Sequence, residues 1–179
     1  MIIAALLFAA TTAVPSDAWK ATLEDYKTNL AAHRVEKTFL DAAMLEQQLL
    51  PTLDKLSPED YALIQDTTAG GLQLNRKGVI FAHPDADFFM KMANDYGGRA
   101  DVNFFENFSK SFPGGPMPSW IKLTDNGGAC VDAKGNEFPS RLRDWQIYQA
   151  RFPGSYSSYV EMLLRGMQAD SADPSRQCR

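Results

Sequence analysis

The chain has 179 residues, a formal charge of −4 and 45% hydrophobic residues. This size and composition suit one folded domain with a sizeable core. The chain contains 18 Lys and Arg residues and 22 Asp and Glu residues, and no strongly basic run occurs. The composition therefore argues against nucleic-acid binding, which depends on neutralising phosphates.

The chain begins with a short apolar run that is typical of a secretion signal. Residues Ile2 to Ala10 are all apolar, and Pro15 interrupts the pattern. The run is too short for a membrane span, which needs about 20 apolar residues, but it suits a signal-peptide core. We expect a signal peptide over 1–18, cleaved after residue 13 or 18, and one globular domain over 19–179 with no stable membrane anchor. Because no Lys or Arg precedes the run, a buried N-terminal helix of a cytoplasmic protein is the alternative.

The two cysteines, Cys130 and Cys178, are predicted to form a disulfide. Two thiols in a small exported domain usually pair. The bond would close a loop of about 49 residues, for which the chain-entropy estimate is roughly 4 kcal/mol. It would also hold the C-terminal tail against the body of the domain. Two free cysteines are the alternative.

The first half of the domain is predicted to be mostly helical. Apolar residues at helical spacing run from 16 to 50, and a shift near 31–33 indicates a bend or two helices. Ser57 is a good N-cap and Pro58 suits the first helical position, so another helix is expected there, ending at Gly70–Gly71. The other elements predicted in this half are a hairpin over 72–82 and helices over 83–98 and 101–112.

The second half opens with an irregular Pro/Gly loop over 112–120. Residues 121–138 carry turn signals, among them Asn126–Gly127, and predict a small antiparallel unit that contains Cys130. Helices are expected over 139–152 and 155–168. The sequence thus predicts a mainly helical α+β single domain with four to six helices and one or two short β-hairpins.

His83, Asp85 and Asp87 form the first candidate site for chemistry. On an extended strand these residues would face the same way and could hold a divalent metal. However, Pro84 followed by acidic residues is also typical of a helix start, where carboxylates cap free N–H groups. We favour the cap, and we expect no metal site and no cofactor.

Two further candidates are catalytic. Cys130 with His33 or His83 would make a nucleophile–base pair, but a disulfide would remove the nucleophile. Paired carboxylates would suit a cell-wall or carbohydrate hydrolase. Glu106 is the carboxylate of most interest because it lies between Phe105 and Phe108, although the solvent face of a helix is the simpler interpretation.

Aromatic residues flank the Pro/Gly loop and supply the predicted binding site. Part of this set must be core, but any that stay exposed would form a recognition surface. The residues predicted to bind are Phe105, Phe108, Phe112 and Trp120.

The function expected from these patterns is that of an exported, periplasmic or secreted protein without catalytic activity. It would bind a macromolecular partner or a ligand in the cell envelope, in an accessory or inhibitor-like role. The alternatives are the carboxylate hydrolase and a structural component of the envelope.

Export and the disulfide are tested together by intact-mass measurement of the protein from a bacterial periplasm. We expect a mass that lacks 13 or 18 residues and no alkylation of the unfolded chain until it is reduced. A full-length chain that takes two alkyl groups before reduction would contradict both predictions.

Overall fold

The computed structural model describes residues 17–125 and 127–178. Within this part the chain is a mainly helical α+β single domain with seven α-helices and two antiparallel hairpins, which confirms the predicted fold class with one helix more than expected. The predicted signal peptide falls almost wholly on residues 1–16, outside the described residues, and stays a prediction. The elements in chain order are α1 Ala18–Ala31, α2 Val35–Leu49, α3 Pro58–Thr68, β1 Leu72–Asn75, β2 Phe81–Pro84, α4 Ala86–Tyr96, α5 Arg99–Ser111, β3 Ile121–Leu123, β4 Ala129–Val131, α6 Glu137–Arg151 and α7 Ser157–Ala172.

Helix starts follow the local sequence signals. The Ser57 hydroxyl accepts a hydrogen bond of 3.0 Å from the N–H of Asp60, with Pro58 at the first position of α3. The Asp85 carboxylate accepts one of 2.7 Å from the N–H of Phe88 and caps α4. The cap that the sequence favoured at Asp85 is therefore confirmed.

Both predicted hairpins are present, but the first extends two residues beyond its predicted end at 82, because His83 and Pro84 belong to β2 and not to the following helix. Strand β1 pairs with β2 so that Gln73 faces His83 across the ladder, and β3 pairs with β4 so that Lys122 faces Cys130. Of the predicted turn Asn126–Gly127, Asn126 lies outside the described residues, and Gly127 has a φ of 80°. A positive φ at this position favours glycine because it lacks a Cβ atom.

The core is organised around the ring of Phe39 on α2. This ring lies in edge contact with rings from α4, from α5 and from the start of α7, and such geometry suits the aromatic quadrupole. The centroid distances are 5.4 Å to Phe89, 4.9 Å to Phe104, 5.3 Å to Phe105, 5.2 Å to Phe108, 5.8 Å to Tyr156 and 5.0 Å to Tyr159. The Phe39 side chain thus joins α2 to three other helices through direct ring contacts.

The predicted disulfide between Cys130 and Cys178 is confirmed, with Cα atoms 5.0 Å apart. It joins β4 to the tail, and the N–H of Cys178 also donates to the carbonyl oxygen of Val131 at 3.0 Å. A disulfide of this kind is typical of an oxidising compartment. Among the described helices, none combines the length and the apolar character that crossing a membrane requires.

Replacing Phe39 by alanine should lower the free energy of unfolding by about 3–5 kcal/mol, because a fully buried ring with many partners leaves a cavity. Chemical denaturation monitored by circular dichroism measures this loss. The control is Ile147→Ala on α6, where 53% of the side chain is exposed and a change within about 0.5 kcal/mol is expected. A loss for Phe39→Ala as small as that of the control would show that the ring does not organise the core.

Candidate binding cavity

A cavity of about 320 Å³ lies between α2, α7, the β1–β2 hairpin and the segment from Phe112 to Leu123. Its volume falls at the lower end of small-molecule sites, roughly 300–1,000 Å³. We call it the Trp120 cavity. Its apolar lining consists of Ala43, Leu50, Val79, Ile80, Phe81, Phe112, Pro116, Met117, Pro118, Trp120, Ile121, Leu123, Met162, Leu163 and Met167, and its polar lining of Glu46, Gln47, His83, Tyr159 and Asp170.

Two helices, α2 and α7, each line the cavity with residues from one helix face. On α2 and just beyond it, Ala43, Glu46, Gln47 and Leu50 recur at intervals of three or four residues, and such residues share one face of a helix. On α7 the same spacing joins Tyr159, Met162, Leu163 and Met167. Unbranched methionine side chains adapt to differently shaped ligands.

The Pro/Gly loop and the two hairpins line the remaining sides. The loop is held at its end by the N–H of Ser119, which donates to the carbonyl oxygen of Ser111 at 2.8 Å. Three of the apolar side chains that border the cavity are also exposed to solvent, namely Val79, Met117 and Leu123. Large exposed apolar groups that cluster at one place are typical of a contact surface.

The four residues predicted to bind divide into two pairs. Phe105 and Phe108 are fully buried in the Phe39 core and do not line the cavity. Phe112 and Trp120 are also buried, but both form part of the cavity wall, with ring centroids 6.1 Å apart. The structure therefore brings only Phe112 and Trp120 to the cavity, and a binding role for any of the four stays a prediction.

A buried imidazole and a carboxylate meet at the cavity. Nδ1 of His83 lies 3.2 Å from Oε1 of Glu46, and the His83 ring is 3% exposed. The imidazole packs nearly parallel to the ring of Phe108, with centroids 5.5 Å apart, and its centroid is 5.2 Å from that of Phe112. Sequence reasoning missed this pair because its members are 37 residues apart and belong to different elements.

Buried polar atoms without a hydrogen-bond partner concentrate at the cavity. Within the described residues, four buried side-chain atoms lack one, and they belong to Gln48, His83, Trp120 and Asp170. The last three of these residues line the cavity, where the atoms concerned are His83 Nε2, Trp120 Nε1 and Asp170 Oδ1. Most buried polar groups in folded proteins are satisfied, so exceptions at one place need an explanation.

Asp170 is tied to the C-terminal tail. Nη1 of Arg176 lies 2.6 Å from Asp170 Oδ1, an ion-pair distance without the alignment of a hydrogen bond. Burial raises the pKa of Asp170 above its usual value, the charge of Arg176 acts in the opposite direction, and that of Asp173 raises it further. The disulfide at Cys178 holds the segment that carries Arg176, so the tail contributes to the electrostatics of this wall.

The cavity also holds a buried phenol. Tyr159 lies between the Phe39 core and the cavity, and its ring contacts Phe39 at 5.0 Å. Burial raises the pKa of Tyr159 well above its usual value, and the nearby charge of Glu46 raises it further. The phenol therefore stays protonated and uncharged throughout the physiological pH range.

The other candidates from the sequence do not assemble into a site. Cys130 is oxidised, which removes the proposed nucleophile, and His33 stacks on Tyr96 with centroids 3.9 Å apart. Glu106 is exposed on α5, and Asp87 is exposed near the start of α4. Within the described residues, no group of three or more His, Cys, Asp or Glu side chains is arranged to hold a metal ion.

Comparisons with protein-family models, with curated proteins and with solved structures found no match to this chain.

Arg176→Gln should raise the pKa of Asp170, because it removes the positive charge that favours the ionised carboxylate. The carboxyl ¹³C chemical shift followed by NMR during an acid titration measures the change. Arg165→Gln on the exposed face of α7 is the matched control and should leave the titration of Asp170 unaltered. An unchanged Asp170 titration in Arg176→Gln would rule out the electrostatic role of the tail.

Proposed function

We propose that this chain is a non-catalytic binding protein of the periplasm or extracellular space and that its ligand occupies the Trp120 cavity. The observation that carries the proposal is an apolar cavity lined by two buried rings, those of His83 and Trp120, whose Nε2 and Nε1 atoms lack hydrogen-bond partners. Ligand sites in proteins combine a mostly apolar lining with a few polar groups in this way. The disulfide between Cys130 and Cys178 supports an oxidising compartment.

The chemistry of the lining favours binding over catalysis. Both carboxylates at the cavity already have close partners, since Glu46 contacts His83 and Asp170 contacts Arg176. Glycoside hydrolysis needs two carboxylates free to act on either side of a polar sugar. The hydrolase is for that reason the weaker proposal, although Glu46 and Asp170 border the same cavity. An envelope structural component would not require such a cavity.

The proposal predicts saturable uptake of a neutral fluorescent reporter. N-phenyl-1-naphthylamine should gain fluorescence on binding because it leaves water for an apolar site. Leu123→Asp places a charge at the cavity wall on a side chain that is 55% exposed, so the fold should tolerate it. We expect at least tenfold weaker binding, which corresponds to about 1.4 kcal/mol.

The matched control is Leu63→Asp on α3, because this leucine is 49% exposed and does not line the cavity. It should bind the reporter like the unaltered chain, and thermal unfolding should show that both variants are folded. Absence of saturable binding, or equal weakening by both substitutions, would contradict the proposed function.

A further inference from the structure

The unsatisfied atoms of His83 and Trp120 restrict what the cavity can hold, provided that the proposed binding function is correct. Both residues line the cavity and are almost fully buried. A ligand in the cavity can therefore reach both rings, and His83 Nε2 and Trp120 Nε1 are hydrogen-bonding groups that the protein itself leaves unused. A pure hydrocarbon would leave them unsatisfied, at a cost that a polar ligand group removes.

The two nitrogens have different requirements. The indole Nε1–H of Trp120 can only donate, so it needs an acceptor on the ligand. An ionised Glu46 can only accept, which assigns a proton to His83 Nδ1 and leaves Nε2 as an acceptor in the neutral ring. If the ring is doubly protonated, Nε2 becomes a donor. A hydroxyl group suits both states because it donates and accepts.

The charges at the cavity argue against an ionised ligand group. The only charged side chains that border it are acidic or paired with acids, and none of the lining residues identified in the described chain is Lys or Arg. A carboxylate on the ligand would face Glu46 and Asp170 without a cation of its own. An ammonium group would find the carboxylates but could not accept the hydrogen bond of Trp120.

We propose that the ligand is an uncharged amphiphile with a hydrocarbon body and a hydroxyl-bearing end, and that Trp120 Nε1 and His83 Nε2 recognise the hydroxyl. The hydrocarbon body packs against the methionine and aliphatic side chains of α7 and the hairpins, among them Met162, Met167 and Leu123. Specificity comes from the polar atoms, because a site built to hydrogen-bond a hydroxyl rejects the analogue that lacks it.

Isothermal titration calorimetry with four probes of one chain length tests this recognition. The probes are decanol, decyl methyl ether, decanoate and decylammonium, each below its aggregation limit and titrated into the oxidised full chain. We expect decanol to bind about tenfold more tightly than the ether, which accepts but cannot donate, and more tightly than either ion. Tighter binding of an ion, or equal affinity for decanol and the ether, would overturn the hydroxyl assignment.

Two variants test whether the preference for decanol arises from Trp120 Nε1 and His83 Nε2. Trp120→Phe removes the indole N–H but keeps an aromatic ring, and His83→Phe keeps the packing on Phe108 and Phe112. Each should lower the affinity for decanol several-fold, and His83→Phe should also reduce the preference for decanol over the ether. Trp19→Phe on α1 makes the same change to a buried tryptophan outside the cavity and should leave both affinities unchanged.

The outcomes separate this inference from the proposed function. If no probe binds and the naphthylamine reporter does not bind either, the proposed function itself fails. If all four probes, which share one chain length, bind with equal affinity, the binding function stands and the hydroxyl assignment fails. If Trp120→Phe and Trp19→Phe alter the affinity for decanol equally, Trp120 is not a recognition group. Thermal unfolding of each variant shows whether it is folded, and the conservative Trp120→Phe keeps the test decisive if His83→Phe does not fold.

Discussion

The packing of the Phe39 ring is the constraint on which the rest of the structure depends. A single helix, α2, presents this ring to three others, and each partner ring meets it edge-on or nearly so. Hydrogen bonds reinforce the same contacts at Tyr156, whose backbone N–H donates to Glu36 at 2.6 Å and whose hydroxyl donates to Asp101 at 2.6 Å. Tyr156 has a left-handed backbone with φ of 52°, a conformation that costs a non-glycine residue about 1 kcal/mol or more. These contacts hold the residue in that conformation, and α7 begins directly after it.

The cavity is a consequence of where this aromatic core ends. The aromatic rings continue from Phe108 on α5 to Phe112, the residue that follows this helix. His83 lies against both rings, so the imidazole is positioned by the core. Beyond Phe112 the chain enters the Pro/Gly loop, which cannot form regular structure and covers the core incompletely. The hairpins add side chains around the opening but are too short to close it. The polar pair of His83 and Glu46 therefore lies where the aromatic core borders the apolar cavity.

Local sequence signals were sufficient to predict most of the fold. The caps at Ser57 and Asp85, the break between α1 and α2, both hairpins and the Cys130–Cys178 bond follow from residues close in sequence or from cysteine count. The site was harder to predict from the sequence, because a cavity is the space that tertiary packing leaves unfilled. Phe105 and Phe112 belong to one aromatic-rich segment and, seven residues apart, point the same way from it. The first is core because it lies within α5, and the second is a wall because it lies at the helix end beside the cavity. The contact of Glu46 with His83 depends on the packing of α2 against β2. Hydrophobic periodicity in the sequence does not indicate which elements pack together.

Under the proposed function, the unpartnered nitrogens of His83 and Trp120 would also relate the stability of the fold to ligand binding. Each buried polar group without a partner costs about 1–3 kcal/mol, which is appreciable beside a typical total stability of about 5–15 kcal/mol. The aromatic core around Phe39 offsets this cost, since its rings are buried and pack on one another. A ligand that satisfies His83 and Trp120 removes the cost, and that free energy appears as affinity. It appears equally as stabilisation of the folded chain, because whatever binds only the folded state stabilises it in proportion to its occupancy. Under the proposed binding function, the aromatic core would let the chain fold before it meets a ligand, and the two ring nitrogens would link the affinity for that ligand to the stability of the fold.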